Sequence, residues 1–423
     1  MSKIHIETYG CTANQSDSEL MQKFLEEAGH KITDLKASDY VVINSCGVKT
    51  QTEERIIQRL KTLSKKKRVI IGGCLPKINL ERIEKENIAG ILDTRSIDKL
   101  PKMIEKISKG EKALEFSDTS IEKPDFVRSA GLTGIVQLSE GCNLSCSYCA
   151  TTISRGDLQC FSPESIVRGV SYLVKGGCKE ILLTSQDNGA YLYKGQKLPD
   201  ILKAVCQIDR KFYVRNGMTN PVYLKFLNQF IEAYKSEKVY KFLHIPVQSG
   251  SNKVLKDMKR GYTVENFKKT ISAFEKEFPM LLATDIIVGF PTETEEDFQE
   301  TLKLLEEIRF DMVNISRFGK RPGTEAANMQ TLDSDTMNRR SKKASQVAKK
   351  IIEEKNREWV GWKGKILINE IGKLVSIGSE KQYIGRNLSY KPVLIKSEKN
   401  LLGKELNVEI KDSTIGCLIG EII

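Results

Sequence analysis

Three cysteines in one short loop are the residues whose type and spacing point most directly to chemistry. Cys142, Cys146 and Cys149 form a Cys-x3-Cys-x2-Cys pattern among glycine, serine and asparagine residues. Three thiolates held this close suit one four-iron, four-sulfur cluster, and three ligands leave its fourth iron open to a small molecule. A structural zinc ion would need a fourth ligand nearby, and the next cysteine is Cys160. The alternative interpretation, three buried core thiols, does not explain the crowding.

A second group of three cysteines is spread over the first third of the chain. Cys11, Cys46 and Cys74 each follow the end of a predicted strand. Strands that alternate with helices predict a parallel sheet, and the carboxyl ends of its strands share one edge, where ligands bind. We therefore expect the three thiols to meet at that edge, which indicates a second cluster. The alternative is three unrelated cysteines beside glycine turns.

The N-terminal elements that must position these cysteines alternate between strand and helix. The predicted strands lie at residues 4–9, 40–44 and 68–71, and the predicted helices at 16–28 and 52–64. The run Ser16-Asp17-Ser18-Glu19 has the pattern of a capping box at the start of the first helix. These elements predict an N-terminal parallel α/β sheet domain over residues 1–110, followed by a polar linker at 111–132.

A longer alternation of strands and helices begins at residue 133. Six strand candidates lie at residues 134–138, 180–184, 212–215, 241–246, 284–288 and 313–317. Ser162 and Pro163 predict the start of one intervening helix, and acidic residues open another at 292–308. Six parallel units predict a partial (β/α)6 barrel over residues 133–335. The cysteine triplet follows its first strand, at the carboxyl edge where barrel enzymes carry their chemistry.

The end of the chain combines a basic helix with a β-rich segment. Between Arg339 and Arg357 there are eight lysine or arginine residues and two acidic ones. The apolar spacing of Val347, Ile351 and Ile352 predicts a basic helical connector at 336–360, with a plain solvated helix as the alternative. Six short strand candidates follow, at residues 365–369, 374–377, 383–386, 393–395, 406–410 and 416–422. They predict a small all-β barrel over residues 361–423.

Composition and charge describe a globular chain with a basic balance. The 423 residues include 67 lysines or arginines and 55 aspartates or glutamates, a formal net charge of +12. This excess favours a polyanionic partner, nucleic acid first, although a solvated lysine-rich surface would give the same sum. Only three histidines argue against a histidine-based zinc enzyme. No apolar run could cross a bilayer and the N-terminus lacks a signal-peptide core, so we expect a soluble cytoplasmic protein without a membrane partner.

The cysteine triplet resembles the signature of the radical S-adenosylmethionine (SAM) enzymes, in which an aromatic residue, here Tyr148, usually precedes the last cysteine. The resemblance implies that Cys142, Cys146 and Cys149 hold a cluster whose open iron binds SAM. Reduction would then cleave SAM to a carbon radical, chemistry that belongs to the cofactor. It also implies that Tyr148 lies against the adenine of SAM. Candidates for holding its amino group are the residues after the second predicted barrel strand, Thr184, Ser185 and Gln186.

Further motifs are similar to those of the methylthiotransferase family. They are Tyr9-Gly10-Cys11-Thr12-Ala13-Asn14-Gln15, Asn44-Ser45-Cys46-Gly47-Val48-Lys49, Gly73-Cys74-Leu75-Pro76, Ile245-Pro246-Val247-Gln248-Ser249-Gly250-Ser251 and Asp285-Ile286-Ile287-Val288-Gly289-Phe290-Pro291. The resemblance implies that Cys11, Cys46 and Cys74 hold an auxiliary four-iron, four-sulfur cluster that delivers sulfur. A second SAM would supply the methyl group. The terminal barrel is similar to the RNA-binding TRAM domain of this family.

Within that family the sequence resembles the archaeal and eukaryotic branch. The motifs that carry this resemblance are Val48-Lys49, Asn216-Gly217-Met218-Thr219-Asn220-Pro221 and Arg321-Pro322-Gly323-Thr324. The implied reaction adds a methylthio group to C2 of N6-threonylcarbamoyladenosine next to the anticodon of tRNA, with an external electron donor and sulfur source. The implied RNA contacts are basic residues of the connector, Arg339, Arg340, Lys342 and Lys343.

The sequence departs from the family pattern at a few positions. Thr292 stands where the family usually has glycine, which predicts a local change of turn. Ser45 and Gly47 replace the usual threonines around Cys46, which should leave ligation unaltered.

Other functions remain open from the sequence alone. Related enzymes of the family act on a ribosomal-protein aspartate or on isopentenyl-adenosine in tRNA. A further alternative is a non-catalytic iron–sulfur protein that binds RNA, which the intact cysteine triplet and Tyr148 argue against.

Overall fold

The computed structural model describes residues 1–48, 50–128, 131–372 and 380–423, and it confirms the mixed α/β architecture. Its N-terminal part is a parallel sheet of β1 (Lys3–Thr8), β2 (Lys31–Ile32), β3 (Tyr40–Ser45), β4 (Arg68–Gly73), β5 (Gly90–Leu92) and β6 (Ala113–Glu115). The strand order is β2-β1-β3-β4-β5-β6. Its helices are α1 (Thr12–Glu27), α2 (Thr50–Leu63), α3 (Leu75–Ile78), α4 (Leu80–Glu84) and α5 (Leu100–Ser108).

Helices cover both faces of this sheet because its central strands are apolar on both sides. Val42 of β3 packs with Leu20 of α1 and Met103 of α5. Its neighbours Val41 and Ile43 point the other way and pack with α2. The sheet also extends further than predicted, since β6 pairs with β5 inside the segment expected to be a linker.

The first helix begins earlier than the sequence predicted. Cys11 has extended backbone angles at the N-cap, and its carbonyl accepts the amide of Gln15 at 3.0 Å, so α1 starts at Thr12. The capping box expected at Ser16 is therefore wrong. Asp17, inside that run, is fully buried and its carboxylate makes contacts with other parts of the chain.

The central part holds the six predicted barrel strands, with shifted ends. Its strands are β7 (Thr133–Gln137), β8 (Ser139–Glu140), β9 (Gln159–Cys160), β10 (Glu180–Thr184), β11 (Leu192–Tyr193), β12 (Gln196–Lys197), β13 (Tyr213–Asn216), β14 (Phe242–His244), β15 (Leu281–Val288) and β16 (Met312–Arg317). Two parallel sheets, β13-β10-β7 and β14-β15-β16, make up the barrel wall. A parallel bridge between Val214 and Val239 lies between them.

Helices pack around the partial barrel, and the first of them, α6, lies at its mouth against α3. They are α6 (Thr151–Arg155), α7 (Pro163–Lys175), α8 (Leu198–Cys206), α9 (Leu227–Tyr234), α10 (Asn252–Asp257), α11 (Val264–Glu277) and α12 (Glu295–Ile308). Ser162 caps α7 as predicted, because its hydroxyl accepts the amide of Ser165. The helix expected from residue 292 begins at Glu295, since Thr294 caps it and Thr292 instead donates to Asp257 at 2.5 Å.

The chain ends in the basic helix α13 (Ser334–Arg357) and a closed five-stranded barrel. The barrel strands are β17 (Lys363–Ile371), β18 (Lys381–Arg386), β19 (Pro392–Ser397), β20 (Glu405–Ser413) and β21 (Leu418–Ile422). The strand predicted at residues 374–377 lies outside the described residues. Within the described ranges, helices long and apolar enough to span a membrane are absent.

Candidate active site at the mouth of the barrel

The loop of the cysteine triplet is held in place from two sides at the carboxyl edge of the barrel. Gly141 begins it with φ +84°, and a side chain there would collide with the carbonyl of Asp157. The Gly141 amide donates to Gln186 Oε1 at 2.8 Å. The Cys142 amide donates to the Gly156 carbonyl at 3.2 Å. The segments after β10 and after α6 thus fix where this loop starts.

The thiols of the triplet are partly buried, and an arginine donates a hydrogen bond to one of them. Burial raises the pKa of Cys142 to about 12 and also raises the pKa of Cys146. Arg260 donates to Cys146 Sγ at 3.3 Å and to the Pro246 carbonyl at 3.1 Å. Metal binding would therefore have to release the thiol protons, and the buried cation favours the resulting thiolate. Sequence reasoning missed Arg260, which lies far along the chain and has no local signal.

Tyr148 forms an apolar wall beside the triplet. It packs in a cluster that includes Met258, Phe290 and Phe318. Burial raises the pKa of its phenol, so the ring stays neutral. A flat, uncharged aromatic face is suited to a heterocyclic base. The contact with the adenine of SAM remains a prediction.

The three residues expected to hold SAM already have partners. Thr184 is buried, and its carbonyl accepts the amide of Leu138. Ser185 donates to Asn188 Oδ1 at 2.7 Å, and Gln186 accepts from the triplet loop. Gln186 therefore contacts the triplet loop directly, and its role toward SAM stays a prediction.

Asp187, which the sequence analysis missed, follows directly after Gln186. Its Oδ1 accepts the amides of Gly189 at 3.1 Å and Asn220 at 3.0 Å. Burial raises its pKa to about 7. The Asp-Asn-Gly run at this point is a turn signal that could have identified it. Asp187 ties the loop after β10 to the loop after β13.

The strand-end cysteines Cys11, Cys46 and Cys74 follow β1, β3 and β4, three adjacent strands of the N-terminal sheet. Cys11 is exposed, Cys46 half-buried and Cys74 buried. Burial raises the pKa of the Cys74 thiol, and the nearby thiols of Cys11 and Cys46 raise it further. The expectation that a parallel sheet gathers these three residues at one edge therefore agrees with the structure. Each set contributes three sulfur donors, those of the triplet from one loop and those of the sheet from the ends of three strands.

Thiolate sulfur is the usual protein ligand of iron–sulfur clusters, and each thiolate binds a different iron. Three donors per set fit such clusters in number and kind. Among the described residues, groups of three or more His, Cys, Asp or Glu side chains arranged for a single metal ion are absent.

The segments that flank the two sets of cysteines pack against each other. Cys74 and Ile78, at the ends of α3, form one apolar cluster with Ala150 and Ile153. Ala150 follows the last cysteine of the triplet and is the N-cap of α6. The N-terminal sheet therefore lies over the mouth of the barrel, with its cysteine-bearing edge turned toward the triplet.

A buried group of four charges holds the same interface together. Arg155 of α6 donates to Asp17 at 2.8 Å and to Glu140 at 3.1 Å. Lys123 lies 2.7 Å from Asp17 and 2.9 Å from Glu140. All four side chains are at most 2% exposed. Two cations and two anions balance, which is the arrangement that buried charges require.

The basic helix offers fewer free cations than the sequence predicted. Arg340 is buried and pairs with Glu293 at 2.6 Å, so its guanidinium is not available to RNA and that prediction is wrong. Arg339 is exposed but pairs with Glu295 at 2.8 Å. Lys342 and Lys343 point to solvent. The difference arises because the acidic N-terminus of α12 packs against the start of α13.

The sequence matches two known protein families and several named relatives. The Radical SAM superfamily matches residues 136–305, and the Uncharacterized protein family UPF0004 matches residues 3–92. A probable threonylcarbamoyladenosine tRNA methylthiotransferase of Pyrococcus abyssi is 42% identical, with all of both chains covered. The protein of that name from Pyrococcus horikoshii is 40% identical over the full length of both. Threonylcarbamoyladenosine tRNA methylthiotransferase of Drosophila melanogaster is 33% identical over the whole chain and 78% of its own length.

Solved structures confirm the fold. The radical SAM methyltransferase TsrM from Kitasatospora setae, with cobalamin and a [4Fe-4S] cluster bound, aligns with a TM-score of 0.57 at 12% identity, covering 77% of each chain. The cobalamin-dependent SAM radical enzyme OxsB aligns with a TM-score of 0.53, covering 84% of this chain and 56% of that one. The full-length sequence matches show more than the fold. The chain belongs to the family of threonylcarbamoyladenosine tRNA methylthiotransferases, radical SAM enzymes whose cofactors are iron–sulfur clusters and SAM.

Proposed function

We propose that this enzyme adds a methylthio group to C2 of N6-threonylcarbamoyladenosine next to the anticodon of tRNA. The observation that carries the proposal is the packing of two sets of three cysteines, one at the barrel mouth and one at the facing sheet edge, through Cys74 and Ala150. A methylthio transfer needs both a radical at the base and a sulfur donor close to it. Relatives named probable threonylcarbamoyladenosine tRNA methylthiotransferase, which match over the full length of both chains, support the choice of substrate.

In this proposal the cysteine triplet holds the radical cluster and the strand-end cysteines hold the auxiliary cluster. When bound, the two four-iron clusters and SAM supply a carbon radical that removes the hydrogen from C2, together with the sulfur that replaces it. Arg260 donates to the Cys146 sulfur and favours its thiolate once cluster binding has released the proton. The Gly141 amide, bound by Gln186, fixes the start of the loop.

The other residues of the mouth position substrate and exclude water. Tyr148 and its apolar neighbours line one side. The N-terminal sheet closes the other side through the buried charges of Asp17, Lys123, Glu140 and Arg155. A carbon radical that attacks a C–H bond needs a site closed to solvent.

We propose that tRNA lies along the exposed lysines of α13, Lys342 and Lys343, and on the terminal barrel. These side chains are free to neutralise phosphates, whereas Arg340 is held in an ion pair. The electron donor and the sulfur source come from outside the chain, and the reaction takes place in the cytoplasm.

We also propose five segments for the chain. They are the N-terminal domain at 1–110, a linker at 111–132 whose strand β6 joins the N-terminal sheet, the radical SAM barrel at 133–335, the helical connector at 336–360 and the terminal barrel at 361–423. Separate apolar clusters in the N-terminal sheet, the barrel wall and the terminal barrel support this division.

Nucleoside analysis of tRNA from a deletion strain tests the function. We expect the methylthio derivative of threonylcarbamoyladenosine to disappear and to return with the wild-type gene, but not with a Cys146→Ala gene. A normal level of that nucleoside in the deletion strain would overturn the proposal. Loss of methylthio-isopentenyl-adenosine or of a modified ribosomal-protein aspartate instead would assign one of the other family substrates.

A further inference from the structure

The short turn at residues 155–157, named the coupling turn, touches the triplet loop with its middle residue. The carbonyl of Gly156 accepts the amide of Cys142 at 3.2 Å. Gly156 has φ +70° and ψ −166°, a conformation that side chains rarely adopt. A Cβ there would come within 3.0 Å of the Arg95 guanidinium. The position of Cys142 therefore depends on a backbone shape that requires glycine.

The first residue of the coupling turn reaches the other cysteines. Arg155 is 2% exposed and donates to Asp17 of α1, the helix that follows Cys11. Its guanidinium also lies beside the Cys74 thiol. Arginine is favoured at this position because its planar guanidinium can contact Asp17, Glu140 and a sulfur atom at the same time.

The last residue of the turn is held by the N-terminal sheet. Arg95, which follows β5, donates to the carbonyls of Asp157 and Asp118. Arg95 is itself 6% exposed. The three consecutive residues thus contact the triplet loop, the strand-end cysteines and the sheet that carries them.

We propose that the coupling turn sets the position of the strand-end cysteines relative to the triplet cysteines, with Arg155 and Gly156 as positioning residues. The inference rests on the proposed two-cluster function and deepens it. Sulfur transfer requires the auxiliary site to stand at a fixed place over the base from which hydrogen is removed. Small displacements of reacting groups cost large factors in rate. Cleavage of SAM needs only the triplet site and should not depend on this position.

Two variants test the proposal in the full-length, anaerobically reconstituted protein. Arg155→Lys keeps the charge but removes the fork that joins Asp17, Glu140 and Cys74. Gly156→Ala leaves every charge in place and displaces the turn. The matched control is Arg168→Lys, because Arg168 is 62% exposed and pairs with Asp125 on the surface. The measurements are iron content, 5′-deoxyadenosine formed per methylthio group, and the magnetic interaction between the two reduced clusters by pulsed EPR.

We expect both variants to keep the iron content of the wild type. Arg155→Lys should cleave SAM at the wild-type rate, whereas Gly156→Ala also displaces the carbonyl that binds the Cys142 amide and should cleave SAM more slowly. Per methylthio group formed, both variants should release roughly ten times as much 5′-deoxyadenosine as the wild type, or more. The magnetic interaction between their reduced clusters should also differ from that of the wild type. The control should match the wild type in both readouts. A wild-type ratio and a wild-type EPR interaction in both variants would overturn the proposal.

Loss of half the iron in both variants would also overturn it, because the turn would then hold the auxiliary cluster itself rather than its position. Absence of methylthio product from the wild type would overturn the proposed function instead. The EPR comparison alone would then decide the role of the coupling turn.

Discussion

At the scale of single residues, the candidate site depends on buried charged groups as much as on its cysteines. Arg260 serves a thiol of the triplet, Arg155 lies beside Cys74, and Asp187 ties two loops of the barrel mouth together. The two arginines were invisible to motif analysis, because a lone charged residue carries no local pattern, whereas Asp187 opens an Asp-Asn-Gly turn signal. Because these three side chains are buried, their electrostatic interactions with neighbouring groups are stronger than they would be in water.

Asp187 makes the stability of the cluster-free protein depend on pH. Burial raises its pKa from 3.8 to about 7, so the folded protein holds this proton more tightly than the unfolded chain. The free energy of unfolding should therefore fall as the pH rises from about 4 to about 7, by at most about 4 kcal/mol. Asp187→Asn keeps the Oδ1 acceptor and should flatten this part of the profile.

Urea unfolding at a series of pH values measures this effect. Asp209→Asn, at an exposed position, is the control and should leave the profile unchanged. An Asp187→Asn profile that still falls with the wild-type slope would show that other groups cause the dependence.

At the scale of elements, the proposed function gives the strand ends of the N-terminal sheet and the loop of the barrel separate tasks. Cys46→Ala should lower the iron content of reconstituted protein from about eight to about four per chain, since it removes one ligand of the auxiliary cluster. SAM cleavage should continue while methylthio transfer stops. Cys146→Ala should abolish both reactions.

Iron analysis and product analysis by mass spectrometry check these outcomes together. The control is Cys417→Ala in the terminal barrel, where Cys417 lies beside Thr414 rather than in either cysteine set. Intact methylthio transfer by the Cys46→Ala protein would refute the role of the strand-end cysteines.

The helix α13 should respond to substitution in two different ways. Replacing Lys342 and Lys343 by glutamine should reduce the slope of log binding constant against log salt by about two and leave stability unchanged. Arg340→Gln should instead destabilise the fold by roughly 3–5 kcal/mol, because it leaves Glu293 buried without its cation.

Filter binding of tRNA at several salt concentrations, with thermal unfolding of the same proteins, separates the two effects. A salt slope unaffected by the double lysine substitution would favour a solvated helix that does not touch RNA.

At the scale of the whole molecule, the terminal barrel packs directly against the central barrel and is not joined to it by the chain alone. Lys391 of the terminal barrel and Lys355 of α13 both lie 2.8 Å from Asp311, which precedes β16. Tyr390 packs on Tyr240 and Phe242 of the central part. If tRNA binds the terminal barrel as proposed, these contacts would hold it in a fixed orientation toward the barrel mouth.

Lys391→Met should loosen this attachment by about 2 kcal/mol, because Asp311 keeps only one of its two cations. Limited proteolysis should then cut faster in the connection between α13 and β17, while the central fold keeps its stability. Lys363→Met removes an exposed lysine 3.6 Å from Glu409 and serves as the control. Equal cleavage rates in both variants would contradict a role of Lys391 in docking.

The sequence by itself determined the fold class, the six cysteines of interest and the edge at which three of them meet. These follow from local patterns, since β/α alternation specifies a parallel sheet and a sheet has one carboxyl edge. The capping box at Ser16 failed because α1 already begins at Thr12, which places Ser16 inside the helix. Asp17 then faces a buried contact with Lys123 and Arg155, which a local pattern does not contain.

Only the tertiary structure decided how the two sets of cysteines relate and which charges remain free. Asp17 and Arg155 are separated by 138 positions, and Arg340 meets Glu293 from 47 positions away. Such pairs form when separate layers pack and water is expelled between them, and the desolvation of a charge depends on every layer around it. Sequence spacing is informative within an element, whereas the burial of a charge is a property of the assembled molecule.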